Sequence, residues 1–100
     1  MLTDEEKISQ EVISEIDGLF KSEDFLKQKN KKFKDVSGLM IVDIGIVYNG
    51  KVSSFFKVES SIKDIDFINF MSDYILQHKF KFRLPKNQRS KIRYEAHFNS

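Results

Sequence analysis

One hundred residues, 40% of them apolar and 10 of them Phe, suffice for a single modest core and leave no room for a second domain. The absence of cysteine excludes disulfide staples, thiolate metal sites and a cysteine nucleophile. The net charge of +2 hides an asymmetry: acids crowd residues 1–24, while residues 79–93 carry Lys79, Lys81, Arg83, Lys86, Arg89, Lys91 and Arg93 and no acid. Such a division can mean an anionic partner, or that one end of the domain sits against the other. No apolar run approaches the roughly 18 residues of a membrane span, and no signal-peptide hydrophobic segment follows Met1 to Lys7.

In chain order, Thr3 with Glu6 fits a capping box, and Ile8, Val12, Ile13, Ile16, Leu19 and Phe20 recur at helical spacing. The spacing predicts an amphipathic helix over residues 4–21, weakened near its end by Gly18. Its stripe fits packing on a sheet or pairing with a second copy, so a homodimer stays open. Phe25 and Leu26 can add a turn. The lysines that follow predict a solvated connector over residues 27–37.

From Leu39 to Tyr48 the even positions are Met40, Val42, Ile44, Ile46 and Tyr48, the pattern of a half-buried strand. Asn49-Gly50 predicts a type I′ hairpin turn, in which both central residues need positive φ. The return strand is expected over 51–59, with Val52, Phe56 and Val58 on one face and Phe55 breaking the alternation. Residues 63–78 read as a second helix, with Ile65, Ile68, Met71 and Ile75 in one apolar row that Phe67, Phe70 and Tyr74 widen, and Asp64 and Asp66 as acids near its N-terminus. Phe80, Phe82 and Leu84 alternate with Lys81 and Arg83 in a short extended stretch that Pro85 stops. The last strand, over 91–98, alternates cleanly: Ile92, Tyr94, Ala96 and Phe98 inward, Arg93, Glu95 and His97 outward. The expected fold class is α+β, two-layered: helix, β-hairpin, helix, β-strand, with a three-stranded antiparallel sheet and helices on one face.

The run Gly38-Leu39-Met40-Ile41-Val42-Asp43-Ile44-Gly45-Ile46, then Asn49-Gly50-Lys51-Val52 and Val58-Glu59-Ser60-Ser61, resembles the C-terminal domain of the TonB/TolA superfamily. The likeness is to its AgmX/PglI-type branch; it covers a core over 38–99, with Pro85 in the linker before the last strand. That branch commonly carries two cysteines, and this chain has none. The resemblance implies a periplasmic, non-enzymatic domain that binds a protein or peptide of the cell envelope by adding a strand to the last strand. Carried over, that edge is Ile92, Arg93, Tyr94, Glu95, Ala96, His97 and Phe98.

The residues themselves offer no enzyme constellation. His78 and His97 are the only histidines and lack convergent partners, so neither a catalytic group, a metal nor another cofactor is expected. The second reading is a nucleic-acid or other anionic-partner interface on Lys79, Lys81, Arg83, Lys86 and Arg89, with Phe80, Phe82 and Tyr94 interleaved. It stands second because Phe80 and Phe82 alternate as core-facing residues should.

Overall fold

A computed structural model describes residues 4–98. The order is α1 (Glu5–Phe20), α2 (Glu23–Lys32), β1 (Gly38–Val47), β2 (Val52–Ser60), α3 (Ile65–Gln77) and β3 (Arg89–Phe98). The fold is α+β, with one antiparallel sheet in the order β2-β1-β3 and three helices where the sequence predicts two. No helix among the described residues is long and apolar enough to cross a membrane.

Helix α1 begins one residue later than the capping box predicts. Asp4 is the N-cap, its carboxylate accepting from the Glu6 and Lys7 amides at 2.9 and 3.4 Å; Thr3 lies outside the described residues. Of the predicted stripe, Ile8, Val12, Ile16 and Phe20 are buried within the chain and Leu19 is half-buried, while Ile13 is 38% exposed.

The supposed connector is largely helix α2. Ser22 turns the chain: its hydroxyl donates to the Leu19 carbonyl at 2.7 Å and accepts from the Phe25 amide at 3.3 Å. Phe25 is fully buried, its ring 4.8 Å from Phe20 and stacked on Phe70 at 5.3 Å. Burying such a ring contributes about 2–3 kcal/mol, enough to hold a lysine-rich helix against the core. Lys29, placed by the sequence in a solvated connector, is buried. It is 4% exposed and its Nζ donates to the Val36 carbonyl at 3.0 Å, fastening α2 to the approach to β1. On the other side, Tyr74 of α3 donates to Asp24 and accepts from the Gln28 amide.

Strand β1 is central. Its even residues Met40, Val42, Ile44 and Ile46 point into the one core, with Ile92, Tyr94, Ala96 and Phe98 of β3 and the buried faces of the helices. All helices therefore cover the same sheet face. Helix α3 contributes Phe67, Met71 and Ile75, capped by Asp64, whose carboxylate accepts from the Phe67 amide at 3.1 Å. Ile65, expected in that buried row, is 71% exposed.

The hairpin forms, but its turn is not type I′. Only Gly50 has positive φ (84°); the Gly50 amide bonds the Val47 carbonyl, and the Val47 amide bonds the Lys51 carbonyl. This is a three-residue loop, Tyr48-Asn49-Gly50, with glycine in the left-handed position. A Cβ on Gly50 would also lie 2.6 Å from the Phe80 carbonyl oxygen, because residues 79–84 clasp the turn. The Phe80 and Leu84 amides donate to the Gly50 and Tyr48 carbonyls, both at 2.9 Å.

Strand β2 departs most from expectation. Its pairing to β1 slips twice, between Ile41 and Val42 and between Gly45 and Ile46. Each slip inserts one residue and switches which parity faces inward. Val52 and Phe55 pack on the core, while Phe56 and Val58 are 60% and 46% exposed.

Candidate strand-addition edge

The sheet has two edges, and they differ. Edge β2 is bent by its two bulges, which is a common way of stopping further pairing. Edge β3 pairs with β1 in an unbroken register of ten residues, Gly38↔Phe98 to Val47↔Arg89. No described element pairs with its far side. A regular strand paired on one side leaves alternate N–H and C=O groups pointing outward.

The expected edge residues split by face. Ile92, Tyr94, Ala96 and Phe98 are core residues, each 7% exposed or less, so Ile92 and Ala96 have only backbone to offer a partner. Arg93, Glu95 and His97 stand on the face away from the helices and are exposed. Arg93 is bound to Asp43 of β1 by two hydrogen bonds, 2.9 and 3.2 Å, and His97 Nε2 lies 3.1 Å from Glu95. The Arg93 hydrogen bond holds the Asp43 carboxyl below its ordinary value against the opposing effect of burial, with the charges of Arg93 and Lys91 adding to it. Lys91 lies over the Phe56 ring, 5.8 Å from its centroid, reaching across Gly45.

Beside the second half of β3 is a cleft of about 350 Å³, floored by Phe20, Phe25, Tyr94 and Phe98 and rimmed by Glu95 and His97. Successive strand side chains point to opposite faces. A cleft lined by Tyr94 with Glu95, and by His97 with Phe98, therefore reaches around the strand's open edge. Its far wall comes from Asp17, Lys21, Leu26 and Lys29 of α1, the corner and α2. Tyr94 is fixed there: its hydroxyl donates to Asp17 at 2.5 Å. Burial first, then this carboxylate, pushes the phenol well above its ordinary value.

The sequence reading missed the α1–α2 wall because it allowed only a turn at Phe25 and Leu26 and took the lysine-rich remainder of α2 for a connector. The available signal was Ser22 followed by Phe25 and Leu26, a cap and then an apolar pair.

Lys79, Lys81, Arg83, Lys86 and Arg89 are exposed and gather near the hairpin-turn end of the sheet, where Lys79 sits opposite Lys51. Among the described residues, Arg93 alone of the seven bases in 79–93 ion-pairs a carboxylate. The acidic helix meets this segment through Glu15, which accepts from the Lys81 amide at 3.2 Å and lies 3.2 Å from His78 Nε2. Of the aromatics interleaved with the bases, Phe80 and Tyr94 are buried, at 3% and 5% exposed, and Phe82 is half-buried against the core. No described group of three or more His, Asp or Glu side chains is placed to hold a metal ion.

Comparison of the chain with known protein families, with curated proteins and with solved structures finds no match.

Proposed function

We propose that this chain is a non-enzymatic peptide-binding domain that captures an extended segment of a protein partner along the open edge of β3. The observation that carries this reading is the contrast between the edges: β2 is bulged twice, whereas β3 is a ten-residue strand of unbroken register with a cleft beside it. A guest strand would satisfy the outward N–H and C=O groups of β3 and extend the sheet to four strands. The sequence resemblance to the TonB/TolA C-terminal domain supports the same edge, and with it a periplasmic setting and a partner in the cell envelope.

The test is amide hydrogen exchange of residues 89–98 with and without a saturating peptide library of extended, β-prone sequences. Added protection confined to alternate amides of β3 is the expected result, since every second amide already bonds β1. Protection of β2 instead, or of neither edge, refutes the reading. Protection that grows with protein concentration in the absence of peptide would identify a second copy as the guest.

The alternative, an anionic partner such as nucleic acid on Lys79, Lys81, Arg83, Lys86 and Arg89, draws on the exposed and mostly unpaired bases. It predicts affinity for a single-stranded oligonucleotide that falls steeply with salt, with a slope of about −0.7 per phosphate neutralised. Strand addition predicts a shallow salt dependence.

A further inference from the structure

Resting on the strand-addition reading, we infer that the site selects its guest by side-chain parity: acidic residues on one face, and a large apolar residue on the other.

The argument follows from what lies on either side of the open edge. On the helix-free face, the first half of β3 presents Arg89 and Lys91, neither ion-paired within the described residues, beside Arg93, whose charge Asp43 already meets. Outward residues of a guest strand lie next to these side chains, and acids there complete two charge pairs. On the helix-covered face, the second half of β3 borders the cleft floored by Phe20, Phe25, Tyr94 and Phe98. An inward guest residue opposite Ala96 enters that cleft, and an aromatic or branched apolar side chain suits its walls. Lys91 and Ala96 point to opposite faces, so the guest's acid and its apolar anchor must be an odd number of positions apart, about five. The charge also sets the choice of partner, since a basic strand would place like charges opposite Arg89 and Lys91.

The test uses three synthetic peptides of about ten residues, long enough to run the length of β3. The first alternates Glu and Val and carries one Phe in the Val row, about five positions from a Glu near the end that meets Lys91. The second has the same composition with Phe moved by one position onto the Glu face, and the third replaces Glu by Lys. Affinity is read by titration calorimetry and location by amide shifts. The first peptide is expected to bind about tenfold tighter than the others and to shift both the β3 amides and those of Phe25 and Leu26. Leu26→Trp, a change at a helix position 43% exposed, should fill the cleft and remove that advantage. Its effect should vanish for a first peptide with Ala in place of Phe. Lys91→Glu should abolish the preference between the first and third peptides, and Arg89→Glu with Lys91→Glu should reverse it. Equal affinities with β3 shifts for all three peptides would overturn the parity inference and leave strand addition standing. Absence of β3 shifts with every peptide would overturn strand addition itself, and the inference with it.

Discussion

Replacing Tyr94 by Phe removes one oxygen and nothing else. The ring keeps its place 6.0 Å from Phe20, and only the hydroxyl bond to Asp17 at 2.5 Å is lost. A hydrogen bond to an ionised group contributes about 1.5–3 kcal/mol. Asp17 is half-buried, so water can take over part of the lost bond, which favours the lower end of that range. We expect Tyr94→Phe to cost about 1.5 kcal/mol, a fall in Tm of roughly 6–10 °C for a domain of this size. Urea unfolding followed by circular dichroism supplies the free energy. The same substitution in an Asp17→Ala background should cost almost nothing. The difference also depends on pH. Folding raises the phenol above its ordinary value of 10.0, so its contribution is intact below pH 10 and fades as pH rises further. The stability gap between the wild type and Tyr94→Phe should therefore narrow above that pH. A loss below about 0.5 kcal/mol, or a loss unchanged in the Asp17→Ala background, would refute the assignment of this hydroxyl as the tie between α1 and β3.

The two glycines should respond oppositely in the same assay. Gly18→Ala meets nothing within 4 Å and should stabilise by about 0.5–1 kcal/mol, whereas Gly50→Ala, with φ at 84° and a carbonyl 2.6 Å from the new Cβ, should cost at least about 2 kcal/mol. Phe25→Ala should cost about 3–5 kcal/mol, and Phe56→Ala on the exposed sheet face less than about 0.5 kcal/mol. In a carboxylate titration by NMR, Asp43 should ionise below its usual 3.8 and return toward it in Arg93→Gln. Since the folded value is depressed, this pair supports the fold above pH 3.8 and is lost as pH falls through the lower value. Tyr74, pushed up to about 12 by burial and by Asp24, should lag behind a free phenol when absorbance is followed into alkali.

How much of this was legible in the sequence varied by element. The last strand was, because every second residue from Ser90 to Phe98 is buried and nothing interrupts its register. Strand β2 was placed correctly along the chain but its faces were misread, since period-2 reasoning cannot see an inserted residue and here two occur within nine. Helix α2 was hidden by composition. A run of lysines argues for solvent, yet one buried ring and one cap were enough to hold it, and Lys29 found a carbonyl. The turn failed for a narrower reason: Asn49-Gly50 suits two turn types, and the hydrogen bonds from residues 79–84 to the turn lie beyond any local pattern. The cleft was out of reach, because it joins α1 and α2 to β3, and no local pattern reports such a meeting.

The strand order β2-β1-β3 has a kinetic consequence. The hairpin β1–β2 closes through a three-residue loop, but β3 reaches β1 only across roughly 40–60 residues of intervening chain. During folding, then, β1 waits with one side unpaired until its own chain delivers the strand that fits. The completed sheet offers the same opening one strand further out, at β3. A segment of another chain that pairs there repeats, between molecules, the pairing that β3 makes with β1.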